Sequence, residues 1–206
     1  MKTNLFLTGI GTILLSLTGA NAIEYHPFIG ATMGVADLGY SSEADNLARI
    51  SGIDTPSDFF AFGLEGGVRF GQYNKIYNGG LTLNIDMTDT QKIRDKFSNV
   101  KYADTRTFAM SATYDNYLRL SGDKTSRIDL VLGAGIGTMN YDVDFESSVM
   151  SDETVYSPMF AFKAALDFEL THNVILSAQA RMFAPTRSHY DINAQYIFGG
   201  AIKYQF

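Results

Sequence analysis

Eight segments of the chain alternate between an apolar face and a face of polar or small residues, and this two-residue period most constrains the fold. The segments cover residues 29–35, 60–70, 77–87, 108–118, 128–137, 160–170, 174–182 and 195–206. Their apolar faces carry no charged residue, although 18% of the chain is charged. Because successive side chains of a strand point to opposite faces, the pattern predicts eight β-strands.

The apolar residues never accumulate into a membrane-spanning helix after the first residues, although the chain is 46% hydrophobic. A transmembrane helix needs a run of about 18 or more apolar residues. A membrane chain without such a run must close its strands into a barrel, because every backbone polar group needs a partner in hydrocarbon. The sequence therefore predicts an all-β fold, an eight-stranded antiparallel up-and-down transmembrane barrel.

A soluble barrel with its apolar face inside is the alternative, and three features favour the membrane barrel. The polar faces are crowded with Gly, Ala, Ser and Thr, as a narrow interior requires. Phe and Tyr flank the apolar faces near the strand ends, as in the aromatic girdles of membrane barrels. Long connections at 37–58, 88–106, 138–156 and 184–191 alternate with short turns near 71–76, 120–126 and 171–173, which is typical of outer-membrane barrels.

The N-terminus has the pattern of an export signal. Lys2 precedes an apolar run from Leu5 to Leu17, and Ala20-Asn21-Ala22 offers small residues at a cleavage site. We expect residues 1–22 to be a signal peptide cleaved after Ala22 and residues 23–206 to be the barrel domain.

Bulk composition excludes several kinds of function. The chain has no cysteine, so it can hold neither a disulfide nor a thiolate-ligated metal. Its net charge is −6, which argues against a nucleic-acid partner because phosphate binding requires a basic surface. We expect no cofactor.

The chain resembles the opacity-protein-like family of small outer-membrane barrels, which is related in plan to the membrane domain of outer-membrane A-type proteins. The resemblance is carried by Pro27–Ala31, Tyr114-Asp115, Gly133–Gly137, Ala180–Phe183 and Gly200–Phe206. It implies a bacterial outer-membrane location, with contacts to outer-membrane lipid and lipopolysaccharide. It also implies that the barrel-assembly machinery reads the terminal strand through Phe198, Ile202, Tyr204 and Phe206.

Charged residues on the polar faces are the first candidate functional group. In a narrow barrel they should meet as ion pairs, because an unpaired buried charge costs several kcal/mol. We expect them to plug the interior, although a gated pore or a proton path is the alternative. The predicted network comprises Glu65, Arg69, Asp86, Asp115, Asp129, Lys163, Asp167, Arg181 and Lys203.

Two further kinds of site are weaker. Ser188 and His189 are adjacent; on a strand they would point to opposite faces, whereas in a loop they could meet. Since no acidic residue stands at a recognisable spacing to orient the histidine, we expect no catalysis and no enzyme. Asp142, Asp144 and Glu146 could supply oxygen ligands to Ca²⁺, although an ordinary solvated acidic loop is the favoured interpretation. We expect no metal.

The loops remain as the predicted functional region. The second loop is basic, with Lys92, Arg94, Lys96 and Lys101. Apolar loop residues could contact a host or partner protein, or pack among themselves; they are Leu47, Ile50, Ile53, Val149 and Met150. We therefore expect a surface-interaction or envelope-integrity role, such as adhesion, and keep a narrow porin for small or hydrophobic molecules as the alternative.

Overall fold

The computed structural model describes residues 23–40, 42–54, 58–71, 76–122, 127–146, 153–186 and 192–206. The predicted signal peptide, the Ser188–His189 pair, Val149 and Met150 lie outside these ranges, and the Leu47 side chain is not described.

Strands dominate the described residues. Eight long strands and two short ones accompany one helix, in the order β1 (Glu24–Tyr40), α1 (Ser42–Ser51), β2 (Ile53–Asp54), β3 (Asp58–Gly71), β4 (Tyr77–Thr88), β5 (Gln91–Asp95), β6 (Lys101–Gly122), β7 (Arg127–Phe145), β8 (Glu153–Glu169), β9 (Val174–Pro185) and β10 (Ile192–Gln205).

The eight long strands close into a ring through antiparallel pairing of neighbours. β1 pairs with β10 from Phe28 opposite Gln205 to Tyr40 opposite Ile192, and on its other edge it pairs with β3. The β6–β7 pairing joins the two ends of the sheet. Closure leaves the ring no free edge in the hydrocarbon, which is the requirement for a strand-built membrane protein. The predicted fold class is confirmed.

The two ends of the barrel differ. At one end β3, β6 and β8 finish and β4, β7 and β9 begin, together with Glu24 and Phe206; we call it the turn end. The opposite end carries α1, β2 and β5, and we call it the loop end. At the loop end β5 pairs with β6, and β2 pairs with β5, so the sheet continues beyond the ring.

The outer wall is apolar, as the alternation predicted. Met33, Leu83 and Ile136 lie in the middle of their strands with 65–67% of their surface exposed. Tyr77 and Tyr204 stand exposed on the outside near the turn end, where an aromatic girdle is expected. The inward residues of the same strands are buried, so the predicted phase of the strands is confirmed.

Several strands run further toward the loop end than predicted, β6, β7 and β8 by the most residues. β6 begins at Lys101, β7 ends at Phe145 and β8 begins at Glu153, whereas the sequence predicted loops at 88–106 and 138–156. The alternation continues there with reversed polarity: Tyr141 and Val143 are buried inside, while Arg106 and Asp144 face solvent. An apolar outer face therefore identified only the part of each strand that contacts lipid.

The first predicted loop also contains unpredicted structure. α1 ends at Ser51, and Gly52 follows with φ of 70°, a left-handed conformation that glycine adopts without steric cost at a helix C-terminus. No helix in the described ranges has the length and hydropathy needed to cross a bilayer.

The outer wall predicts a position-dependent penalty for charge. Leu83→Arg should destabilise the refolded protein by about 2–4 kcal/mol, because it places a cation in mid-bilayer. Tyr156→Arg, at an exposed outward position beyond the predicted lipid-facing segment of β8, is the matched control and should change stability little. Urea unfolding in lipid vesicles measures both, and equal effects would contradict this placement of the membrane.

Candidate functional site

The interior near the turn end and mid-barrel holds a network of ion pairs. Lys163 Nζ lies 3.1 Å from Glu65 Oε2 and 3.2 Å from Asp115 Oδ2. Lys203 Nζ lies 3.0 Å from Asp167 Oδ1 and 3.5 Å from Glu65 Oε1. Glu65 therefore joins the two lysines, and all five side chains are buried.

Three arginines complete the network. Arg69 Nη2 lies 2.8 Å from Asp129 Oδ2, and Arg127 Nε lies 2.7 Å from Asp129 Oδ1. Arg181 Nη1 contacts both oxygens of Asp86, at 2.6 and 2.7 Å. These short charge-assisted contacts offset the desolvation of buried ions, which is otherwise costly.

Neutral hydroxyls satisfy carboxylate and guanidinium groups that the ion pairs leave open. Thr82 and Thr113 donate hydrogen bonds of 2.8 and 2.7 Å to the two oxygens of Asp115. Arg181 Nη2 donates to Thr32 Oγ1 at 3.2 Å. Since a buried carboxylate needs several donors, threonine on the inward face has a specific role here.

Inward glycines make room for these charges. A side chain at Gly133 would meet the Asp115 carboxylate, with Cγ only 3.2 Å from the added Cβ. A side chain at Gly30 would meet Lys203 Cγ at 3.1 Å and Glu65 Cγ at 3.3 Å. The glycines of the polar faces therefore provide the space in which long charged side chains meet across the lumen.

All nine residues of the predicted network lie inside the barrel and make charged contacts there. We use "interior charge network" for these nine together with Arg127, which the sequence analysis missed. Arg127 is 1% exposed and shares the inward face of β7 with Asp129. Arg127 lies two residues before Asp129, so the alternation could have assigned it to the inward face, but the predicted segment began one residue later, at 128.

The interior near the loop end is different, because a group of buried apolar side chains lies there beside the buried polar residues Gln195, Thr107 and Thr88. We call these apolar side chains the apolar cluster; its members Phe59 and Phe183 are each 1% exposed. Charged and polar side chains were expected to plug the lumen, and at this end apolar side chains fill much of it as well. The cluster comprises Ala36, Leu38, Phe59, Ala61, Ala103, Ala109, Met139, Tyr141, Val143, Met159, Ala161, Phe183, Ile192 and Ile197.

Beyond the ring, β2, β5 and the first residues of β6 form a short sheet, which we call the loop-end ribbon. Its tip is a turn organised by Asp95, whose Oδ1 accepts hydrogen bonds from the Phe97 and Ser98 amides at 2.9 and 2.6 Å. These bonds, that from the Ser98 amide foremost, hold the pKa of Asp95 below its usual value. Asn99 adopts φ of 57°, and its Oδ1 accepts a 2.9 Å bond from Arg94.

The ribbon presents an aromatic side chain to solvent. Phe97 is 89% exposed at the tip, although its ring lies close to Gly52. The exposed residues Lys92 and Lys96 accompany it on the ribbon. Lys101 instead pairs with Asp104 at 2.8 Å and Glu146 at 2.6 Å, and the bond to Asp104, followed by that to Glu146, raises the pKa of Lys101.

The acidic trio considered for calcium is divided between basic partners. Asp142 Oδ2 lies 3.0 Å from Arg106 Nε, and Glu146 pairs with Lys101, while Asp144 is exposed. Within the described ranges no group of three candidate ligands could hold a metal ion. Among the apolar loop residues, Ile50 is 79% exposed and Ile53 lies in β2 of the ribbon.

The described histidines both lie beside carboxylates near the turn end. His26 Nε2 is 3.5 Å from Glu24 Oε2, and His172 Nδ1 is 3.9 Å from Glu169 Oε1.

The last strand carries the predicted assembly residues on its outer face. Phe198, Ile202, Tyr204 and Phe206 are 48–69% exposed. The rings of Tyr204 and Phe206 meet edge to face at 5.2 Å. The Phe206 amide donates to the Pro27 carbonyl at 2.9 Å, so the terminal residue is tied to β1.

Solved structures with the same architecture are outer-membrane barrels. Ail, the attachment invasion locus protein of Yersinia pestis, shares 16% identity over 89% of this chain and 99% of its own, with a TM-score of 0.53. Neisserial surface protein A shares 13% identity over 90% of this chain and 100% of its own, with a TM-score of 0.51. OprG of Pseudomonas aeruginosa shares 12% identity over 86% of this chain and 95% of its own, with a TM-score of 0.53. This chain has the fold of the small eight-stranded outer-membrane barrels. The expected resemblance is thus confirmed for the fold.

No family model matches the sequence, and no curated protein matches it. The shared fold supports an outer-membrane location. Outer-membrane barrels keep short turns in the periplasm and longer loops outside, so we expect the turn end to face the periplasm and the loop end the exterior. Ail has also been crystallised with the heparin analogue sucrose octasulfate.

The interior charge network predicts that replacing one buried basic side chain by a neutral one lowers the stability of the barrel. Lys163→Met leaves Glu65 and Asp115 buried without their shared partner, and should destabilise the barrel by about 3–5 kcal/mol. Lys101→Met, which removes ion pairs at the solvent-exposed loop end, should change stability little. Urea unfolding and the heat resistance of the folded band on gels measure both, and equal effects would contradict the pairing of Lys163.

The turn of the ribbon predicts a pH dependence. Since the folded pKa of Asp95 is depressed, its stabilising effect is complete above the usual carboxyl pKa and is lost as pH falls through the depressed value. At neutral pH the Ser98 and Phe97 amides should exchange slowly in the wild type and quickly in Asp95→Ala. Asp144→Ala is the control. Fast exchange in the wild type at neutral pH would contradict a rigid turn.

Proposed function

We propose that this chain is a non-enzymatic outer-membrane barrel that acts through its loop end in surface interaction, with a lumen closed to solutes. The observation that carries the proposal is the contrast between a filled interior and an ordered, exposed ribbon. The mature protein would begin at Ile23 after export, and the outward residues of β10 would serve as its assembly signal.

Two successive barriers support a closed lumen. A solute entering from the turn end meets the interior charge network, in which Lys203 and Glu65 are at most 2% exposed. A solute entering from the loop end meets the apolar cluster. Separating buried ion pairs is costly, and the buried Gln195, Thr107 and Thr88 beside the apolar cluster are hydrogen-bonded to one another, so neither half suits conduction.

The tip of the ribbon supports a surface role. Aromatic residues, phenylalanine included, are enriched at protein interfaces relative to the rest of the protein surface. Here the Asp95 turn fixes the backbone that carries Phe97, so little conformational entropy is lost on binding. Lys92 and Lys96 add exposed positive charge to the same ribbon, which favours an anionic or mixed surface as partner.

Conductance tests the closed lumen. The wild-type protein, refolded and inserted into a planar bilayer, should show no steady single-channel current. Replacing Phe59 and Phe183 together by Ala removes bulk from the apolar cluster and provides a variant with one barrier weakened. Steady currents from the wild type would contradict the proposal and favour the narrow-porin alternative.

Binding of whole cells tests the surface role. Expression in a laboratory strain should increase retention on immobilised heparin or on cultured epithelial monolayers. Phe97→Ser should abolish most of that gain, whereas Tyr156→Ser, which removes another exposed loop-end aromatic, should leave it unchanged. Retention equal to the empty strain on both surfaces, or equal loss in the two variants, would contradict a role for the ribbon tip.

A further inference from the structure

The lipid-facing wall contains a groove across β3, β4, β6 and β7. Its volume is about 660 Å³. Small outward residues form the floor, namely Gly66, Ala112 and Ala134, while Leu81 and Tyr114 are among the larger residues that form its walls. The lining is therefore almost wholly apolar, and it opens toward the hydrocarbon and away from the lumen.

The groove lies in the periplasmic half of the membrane. Leu81 is paired with Tyr114, and it lies four residues from Tyr77 at the turn end of β4. At about 3.3 Å per residue, this separation is roughly 13 Å along the strand. The hydrocarbon core is about 30 Å thick, so the groove lies at the depth of acyl chains from the periplasmic leaflet.

Polar groups on the same wall lie between the groove and the turn end. The Tyr77 hydroxyl donates a hydrogen bond to Asn116 Oδ1, and Asn116 Nδ2 donates to the Leu132 carbonyl at 3.3 Å. The Tyr114 hydroxyl lies against Gly79. An amide on the outer wall is costly in hydrocarbon, so Asn116 marks the interfacial depth where lipid esters and head groups lie.

We propose that this groove is a binding site for one acyl chain of a phospholipid in the periplasmic leaflet. The chain lies over Gly66, Ala112 and Ala134, and the ester or head group contacts the Tyr77–Asn116 pair. An amphipathic ligand matches an apolar groove with hydrogen-bonding groups at its interfacial end. This proposal rests on the position of the barrel in the membrane and does not require the surface role.

Filling the groove tests the proposal with little risk to the fold. A Cβ added at Gly66 would meet only the Phe28 carbonyl oxygen, at 3.6 Å, so Gly66→Leu projects into the groove without a backbone clash. Ala164→Leu is the matched control, because Ala164 is an exposed outward residue on β8, away from the groove. Heat modifiability on gels confirms that each full-length variant is folded.

The measurement is native mass spectrometry of the protein refolded with phosphatidylethanolamine and released from detergent. The wild type and Ala164→Leu should each retain one phospholipid, Gly66→Leu should lose it, and Tyr77→Phe should retain it several-fold less. Equal retention in wild type and Gly66→Leu would overturn the proposal. A wild-type dimer that Gly66→Leu dissociates would also overturn it, since the groove would then bind a second copy of the chain.

Discussion

The unbroken ring of backbone hydrogen bonds is the constraint on which the rest of this structure depends. A strand in hydrocarbon must satisfy each amide and carbonyl through its neighbours, and the β1–β10 pairing does so up to the last residues of the chain. Closure fixes which residues face inward, and eight strands leave a narrow interior. The interior then has to be neutralised, and the ion pairs are the consequence.

Closure also explains the division of the interior along the barrel axis. Where the wall contacts lipid, the outward residues must be apolar, so polar and charged residues are confined to the lumen and pair there. Beyond the lipid, water contacts the wall and the outward residues become polar. The inward residues such as Tyr141 and Val143 can then form an ordinary hydrophobic core. The reversal of polarity along one strand thus follows from the change of solvent outside it.

The sequence was sufficient to predict the ring and which residues face outward. Charge is costly in hydrocarbon, so the outward positions are occupied by apolar residues such as Leu83 and Ile136. It was sufficient for every member of the charge network except Arg127, because parity assigns residues such as Glu65 and Lys163 to the lumen. It could not give the pairing of Glu65 with two lysines, which depends on barrel shear and on the space left by Gly30 and Gly133. It did not predict the loop-end extensions of β6, β7 and β8, α1 or the Asp95 turn. Water contacts the outside of the protein there, so the outer faces of these elements need not be apolar.

The central claim is that the interior is sealed, and cysteine accessibility measures this most directly because the natural chain has no cysteine. Ser111→Cys places a thiol at an inward position that is 6% exposed, in the middle of β6. In folded protein in vesicles, a small charged methanethiosulfonate reagent should leave this thiol unmodified, while a cysteine at the exposed ribbon residue Ser98 reacts fully. Rapid modification of the Ser111→Cys variant would show that the lumen is open and would contradict the account.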